Sequence, residues 1–476
     1  MLQSPPTAPA CTNELEQAEL PVTFFPPLSQ QRRAWVFEVL TREKVTSILD
    51  IGCGEGDLIA CLCNPAPWLP PSHHAEIRAF LESQELPSIE YIIHEEPYMH
   101  PVRVIGLDIS AVDLCDAIKH TSPPKPTALS WPRWIPLDVE IWEGGLQSLN
   151  PVFMDVECIV STEVIEHLPE EVLQDFAPVI LGVYQPRLLL ITTPSYTFNA
   201  RFTAPDAPPS ARRGFPDPTG RTDRIFRHSD HKFEWTVEEF TDWCETVADD
   251  WGYEAQIRGV GKPNEKDEWD RDESLGWASQ VAMFRRKEGD VWKKVRLARR
   301  EQVGILSRAS QSQHRLLATH RHDPHKSAGH PLPLRTIGDL THERLLDYGI
   351  AAFPVGRLWT EGELDIPCGG CLELLVLAAA KHNDLAVRCN PAEKIEKWEI
   401  LLKSGLPSQC TKSVNDTAQD VVVDTSSEFL VSQTDNATWG NESSSWGVMT
   451  TDDWNVKIPA DDWGWGVPSR WETNEP

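Results

Sequence analysis

The sequence predicts an α/β fold on a mostly parallel sheet, followed by a basic extension and a disordered C-terminal tail. Three observations carry that prediction. From Pro21 to about Arg286, short apolar runs alternate with helix-length amphipathic segments, the pattern of strands joined by crossover helices. A glycine-rich loop follows the first of those runs and opens a helix. Beyond Ser404 the chain turns to Ser, Thr, Asp and Asn with few aliphatics, too little apolar material to offset the entropy of folding.

Taken in order, residues 1–20 form a Pro-rich, polar lead expected to be disordered. Residues 21–286 hold the sheet, with strands expected at Ser47–Ile51, Val104–Asp108, Cys158–Ser161 and Leu188–Thr192, and a closing strand at Trp277–Arg285. Pro-rich stretches at Cys63–Ser72 and Thr203–Pro218 leave the sheet, and Cys63–Tyr98 reads as an insertion. Residues 287–336 form a basic extension or linker; over 285–335 there are 13 basic and 4 acidic side chains. Residues 337–403 contain two expected helices, Cys371–Lys381 and Ala392–Leu402, and so a small helical module. Residues 404–476 are an acidic tail with 12 acidic and 3 basic side chains, unusual only in its tryptophans.

The 476 residues suffice for at least one large core, which excludes a small disulfide-stapled scaffold. With 72 acidic against 44 basic side chains, the net charge of −28 argues against a protein that coats nucleic acid generally. No apolar run approaches the length of a membrane span, and Met1–Glu14 lacks the basic start and apolar stretch of a secretory signal. Eleven cysteines without a regular framework fit a reducing compartment. An intracellular location without membrane association is expected, the cytoplasm favoured over the nucleus.

Ile48-Leu49-Asp50-Ile51-Gly52-Cys53-Gly54-Glu55-Gly56-Asp57 places glycines where the backbone must turn sharply and approach a ligand. The acidic residue before the first glycine and the Asp-x-Gly-x-Gly-x-Gly spacing resemble the first motif of class I S-adenosylmethionine-dependent methyltransferases, whose sheet is Rossmann-like. That resemblance makes Asp50, Gly52 and Gly54 cofactor contacts. Asp108, ending the second strand, is placed to accept the ribose hydroxyls, and Asp138 in Leu137-Asp138-Val139 to bracket the adenine.

Glu163-Val164-Ile165-Glu166-His167 follows the Cys158–Ser161 strand. On a helix, positions i, i+3 and i+4 share a face, so two carboxylates and an imidazole could converge there. The same spacing also suits an exposed, salt-bridged helix. Phe226–Trp235 adds His228 and His231. Two Glu and two His would give a mixed oxygen and nitrogen site for a divalent cation: the carboxylates suit Mg²⁺ and Mn²⁺, while the imidazoles favour Mn²⁺, Fe²⁺, Co²⁺ or Zn²⁺.

These segments together resemble the Hua-enhancer family of small-RNA 3′-terminal 2′-O-methyltransferases. The match rests on Phe24-Phe25-Pro26-Pro27-Leu28-Ser29-Gln30-Gln31-Arg32, the loop from Asp50, Glu163–His167, Thr193-Pro194-Ser195-Tyr196-Thr197-Phe198-Asn199 and Asp230-His231-Lys232-Phe233-Glu234-Trp235. The resemblance implies methyl transfer from S-adenosylmethionine to the 2′-hydroxyl of a small RNA's terminal nucleotide, protecting it in RNA silencing. It implies metal ligands at Glu163, Glu166, His167 and one distal histidine, placed at His231 with His228 as second choice. Whichever distal histidine the metal does not use could accept the proton. Ser195 and Thr197 depart from the family's Asn and Glu. No double-stranded-RNA-binding module of the plant type is visible, so a single-stranded 3′ end, as in the animal and fungal branch, is the expected substrate.

Arg32 and Pro194, within the matching segments, and Arg224, Arg227 and Lys232, within the basic loop, are expected RNA contacts; Lys293, Lys294, Arg296, Arg299 and Arg300 form a second candidate cluster. Trp439, Trp446, Trp463 and Trp465, each followed by glycine, resemble the Trp-Gly hooks that bind Argonaute or Piwi-type proteins. Cys368-Gly369-Gly370-Cys371 lacks a second close pair and reads as ordinary thiols. Two other classes remain open: a non-enzymatic Argonaute adaptor on a degenerate methyltransferase, and a small-molecule O-methyltransferase.

Overall fold

The computed structural model describes residues 19–69, 99–124, 131–208, 211–308, 313–390 and 393–406. All of these lie in one unit, Met1–Asp420. The expected disorder of most of the lead, the insertion beyond Leu69 and the whole Trp-Gly tail fall outside the described residues.

Continuous aliphatic runs form the sheet's centre. Strands β1 (Ser47–Ile51), β2 (Arg103–Asp108), β3 (Leu137–Glu143), β4 (Cys158–Thr162) and β5 (Leu188–Pro194) are parallel. β1, β4 and β5 are buried almost throughout, as strands covered on both faces must be. Two-residue strands β6 (Phe215–Pro216) and β7 (Ile225–Phe226) pair as a separate ribbon in the excursion after β5. β8 (Tyr253–Val260) and β9 (Ser279–Arg286) return, β9 antiparallel between β5 and β8. The full order is β10-β3-β2-β1-β4-β5-β9-β8, the arrangement of a class I S-adenosylmethionine-dependent methyltransferase sheet with one strand added beside β3.

That added strand, β10 (Arg315–His322), comes from the basic extension and pairs antiparallel with β3. The extension therefore contributes to the sheet; its alternating polar residues suit an exposed edge, which is why it lacks the aliphatic signature of a central strand.

Helices α1 (Leu28–Arg42), α2 (Asp57–Leu62), α3 (Ala111–His120), α4 (Glu170–Ala177) and α5 (Val237–Trp251) flank the sheet. α5 begins with a capping box, Thr236 and Glu239 each accepting from the other's backbone, and ends at Gly252 with φ 65°. A buried π-helical turn, Pro178–Tyr184, passes under α5; a Cβ on Gly182 would lie 2.3 Å from the Trp251 ring.

After α6 (Asp290–Val303) and β10, the chain forms α7 (Leu334–Asp347), β11 (Ala352–Pro354), α8 (Val355–Thr360), α9 (Leu372–Lys381), β12 (Leu385–Arg388) and β13 (Glu399–Leu402). The expected helix at Cys371–Lys381 is α9. The one expected at Ala392–Leu402 is instead a short turn and β13, the middle strand of a small antiparallel sheet. Trp398, Ile400 and Leu402 are buried while Glu399 and Leu401 are less so, a two-residue period that a helical reading overlooks. The module's core also takes in Trp68, Leu69 and Trp134, so the segment leaving α2 is an integral part of it.

Candidate active site

Parallel strands bring their C-terminal ends to one edge, and the candidate residues gather there. Gly52, Gly54 and Gly56 turn the chain after β1 with φ 75°, 51° and 86°. A Cβ on Gly54 would meet nothing within 4 Å, so this glycine faces open space; one on Gly52 would lie 2.4 Å from Cγ2 of Val164. The Gly54 N–H donates to Asp108 Oδ2 at 2.9 Å and the Ser110 N–H to Oδ1 at 2.8 Å, which holds the Asp108 carboxylate at the mouth of the loop. Asp50 is buried, its Oδ1 has no partner among the described residues, and burial with help from Asp108 pushes its carboxyl up to about 7. An open cradle, a carboxylate fixed at its mouth and a buried carboxyl oxygen with no partner among the described residues fit an adenosyl cofactor.

Asp138 does not reach this cradle. It opens β3 level with Arg103, whereas Asp108 is level with Glu143, and both Asp138 oxygens accept from Arg321 of β10 at 2.6 Å. Glu143 is the acid that stands beside Asp108, paired with Arg315 Nε at 2.6 Å. Register was the missed signal: which end of β3 a residue occupies decides which edge of the sheet it reaches.

The Glu163–His167 segment is not a helix face. Glu163 turns the chain after β4 at φ 55°, and only Ile165–His167 form a 3₁₀ turn. Two threonines ending β5 sort the carboxylates. Thr192 Oγ1 donates to Glu163 Oε1 at 2.8 Å, and Thr193 Oγ1 donates to Glu166 Oε2 at 3.0 Å. Glu163 Oε2 lies 3.4 Å from Arg32 Nη1. Glu166 is completely buried, and its Oε1 has no partner among the described residues. Burial and then the charge of Glu163 hold the Glu166 carboxyl well above the usual carboxylate range, while burial and the neighbouring His231 and His228 push the His167 imidazole down to about 4.

His231 arrives on the loop before α5, which is anchored by Lys232 N–H donating to the Glu166 carbonyl at 2.7 Å. One ligand atom each from Glu166, His167 and His231 lies within 4.8 Å of the others. An unpartnered buried carboxylate oxygen beside two imidazoles fits a divalent cation. Glu163 is outside this three-residue cluster, held by Thr192 and Arg32. His228 is near, its ring centroid 5.3 Å from that of His231, but its Nδ1 accepts the Asp230 N–H at 3.2 Å. In the neutral ring that accepts this bond, Nδ1 holds the lone pair and Nε2 the proton.

The expected RNA contacts divide. Arg32 spans Glu163 and Ser279, and Pro194 ends β5 with its carbonyl near Gln280 Nε2 at 3.3 Å. Arg224 grips Glu239 at 2.7 and 2.8 Å and lies over the Tyr196 ring; Arg227 pairs with Glu19 at 2.7 Å and lies over Phe202. Both guanidiniums thus brace the loop. Lys232 makes no ion pair among the described residues. The second cluster is not at the site: α6 packs beside the start of β8, the opposite end of the sheet, with Arg296 buried against the Gly252 and Lys287 carbonyls. Ser195 is buried with its hydroxyl unpartnered among the described residues, and Thr197 Oγ1 accepts the Val237 N–H at 3.2 Å, bracing the start of α5.

A small RNA 2′-O-methyltransferase of Xenopus tropicalis is 29% identical over 264 residues, 55% of this chain and 56% of that protein. The chain is similar to the small RNA 2′-O-methyltransferases. One from Drosophila melanogaster is 26% identical over 285 residues, 58% of this chain and 59% of that protein. The chain thus matches little more than half the length of either relative. No family model matches. A crystal structure of the small RNA methyltransferase HEN1 superposes with a TM-score of 0.40 at 22% identity, covering 64% of this chain and 28% of that one. The motif reading agrees with the names of the relatives from Xenopus tropicalis and Drosophila melanogaster, both small RNA 2′-O-methyltransferases.

Proposed function

We propose that this chain transfers a methyl group from S-adenosylmethionine to the 2′-hydroxyl of the 3′-terminal nucleotide of single-stranded small RNAs, using a divalent metal, Mg²⁺ or Mn²⁺. One observation carries the reading: Glu166, which keeps an unpartnered oxygen, clusters with the His167 and His231 rings at the turn whose Val164 packs against Gly52 of the cofactor loop. A methyl donor and a metal-held hydroxyl would thereby be neighbours.

When bound, S-adenosylmethionine supplies an electrophilic methyl on sulfur, and the metal supplies Lewis acidity to an alcohol that is almost wholly protonated at neutral pH. Glu166, His167 and His231 would hold the metal, with Glu163 as the fourth donor, its carboxylate shared with Arg32. Gly54 would leave room for the cofactor, Asp50 and Asp108 would hold its polar groups, and Pro194 and Lys232 would flank the acceptor. His228 can take the proton on Nδ1 by giving up the Asp230 N–H. The terminal 2′- and 3′-hydroxyls together would satisfy the metal, which selects free 3′ ends.

The product would be a protected guide in RNA silencing. The Trp-Gly tail, outside the described residues, would recruit an Argonaute or Piwi-type protein, in the cytoplasm in preference to the nucleus. Among the described residues no helix is long and apolar enough to cross a membrane.

The test is methyl transfer from labelled S-adenosylmethionine to a single-stranded RNA of small-RNA length, with Mg²⁺, Mn²⁺ or EDTA. Transfer should need metal and should fail on 2′-deoxy and 3′-phosphate ends. Equal transfer to a 3′-phosphate end would defeat the chelation model. Transfer to a catechol but not to RNA would favour a small-molecule enzyme.

A further inference from the structure

Glu234 is completely buried, and three nitrogens converge on its carboxylate: His231 Nδ1 at 2.7 Å and the donating Arg227 backbone N–H at 2.7 Å on Oε1, and the donating Asn199 Nδ2 at 2.6 Å on Oε2. No Lys or Arg side chain pairs with it among the described residues; Arg227's guanidinium bonds Glu19, and Arg224 reaches only Glu234's backbone carbonyl. Burying a carboxylate without a cation costs several kcal/mol in general, so such a group is usually retained where its charge or its acceptor pattern is needed.

We infer that Glu234 is the positioning residue of this centre: its carboxylate fixes His231 in the tautomer whose Nε2 is free to bind a metal, and ties that ligand to Asn199 in the loop after β5. The inference rests on the metal reading above. Both carboxylate oxygens already accept, Oε1 from the Arg227 N–H and Oε2 from Asn199 Nδ2, which places the imidazole nitrogen facing Oε1 as a third donor. With Nδ1 carrying the proton, Nε2 holds the lone pair and is the nitrogen left for a cation shared with Glu166 and His167. The negative charge behind the ring makes that nitrogen a stronger donor to a cation, as carboxylate–histidine–metal arrangements do.

The geometry also links the motifs. Asn199 belongs to the segment after β5, the strand whose Thr193 bonds Glu166, and Lys232 clamps the His231 loop to the Glu166 carbonyl. Two ligands, Glu166 and His231, are thus each oriented by a partner anchored in or just after β5.

Mn²⁺ titrations of the full-length chain, read by electron paramagnetic resonance, test the inference, with S-adenosylmethionine affinity recorded as the check on folding. Glu234→Gln should weaken Mn²⁺ binding about 10- to 100-fold while cofactor affinity stays within about twofold. A loss below tenfold in a variant that still binds cofactor would overturn the positioning role and leave the metal reading standing. A wild-type chain with no Mn²⁺ site that Glu166→Gln removes would instead overturn the metal reading itself. Should Glu234→Gln not fold, the tautomer decides. ¹⁵N-histidine spectra of the metal-free wild type, assigned with His231→Gln, should show His231 protonated on Nδ1; a proton on Nε2 would end the proposal.

Discussion

Glu166 and Glu163 are separated by only two residues, yet their surroundings predict unequal roles. Glu166 keeps an unpartnered oxygen in the His167–His231 cluster, while both Glu163 oxygens face other groups. Glu166→Gln should weaken Mn²⁺ affinity at least about 100-fold, more than an outer partner would, and Glu163→Gln should cost clearly less. Calorimetric titration of both variants checks the order; a larger loss at Glu163 would reverse it. Asp50 gives a pH prediction of definite sign. Its folded carboxyl titrates at about 7, against an ordinary 3.8, so the folded state keeps a proton that the unfolded chain has lost between those values. Stability of the cofactor-free protein therefore falls as pH rises through about 7, and Asp50→Asn should remove that slope while weakening cofactor binding. Melting temperatures from pH 4 to 9 read it. A parallel comparison separates Glu143 from Asp138: Glu143→Gln should weaken cofactor binding severalfold, and Asp138→Asn, which loses only an exposed ion pair, should leave it unchanged.

Among the elements, two close approaches make predictions because no flexible group can yield. Gly52→Ala puts a Cβ into Val164 at a positive φ, so it should disturb the cofactor loop and the Glu163–His167 turn together, weakening both ligands. Separate titrations with S-adenosylmethionine and Mn²⁺ show whether both fall. Gly182→Ala, against the Trp251 ring, should cost about 1–3 kcal/mol of stability in denaturant unfolding without altering either affinity. The elements also show what the sequence disclosed. Central strands were readable because burial on both faces demands unbroken aliphatic runs. β3, β8 and β10 were not, since strands with one open face mix polar residues among apolar ones. The candidate metal cluster was readable as a set of residue types, but its support was not. Thr192, Thr193, Asn199 and Glu234 come from segments around two strand ends, and only the folded register brings them against their partners. Asp138 failed for the same reason, since spacing alone does not say which end of a strand a residue occupies.

At the scale of the whole molecule, the chain divides its tasks. The edge formed by the C-terminal ends of the parallel strands holds the candidate chemistry, and the basic helix α6 sits at the other end of the sheet. Charge reversal at Lys293 and Lys294 on that helix should leave the salt dependence of RNA methylation unchanged, whereas Lys232→Glu should weaken RNA binding. Replacing Trp439, Trp446, Trp463 and Trp465 by Ala in the full chain should spare transfer to free RNA and reduce capture of an Argonaute-type partner, because the hooks act by local concentration. The central claim is that a metal-held terminal diol meets the methyl donor. Its most direct measurement is the position of the transferred methyl, obtained by digesting the product RNA to nucleosides for mass spectrometry, with Mn²⁺ or EDTA and with Glu166→Gln. The account predicts 2′-O-methylation of the 3′-terminal nucleoside alone, abolished by EDTA and by the substitution. A methyl on a base or an internal ribose, or transfer indifferent to EDTA, would contradict it.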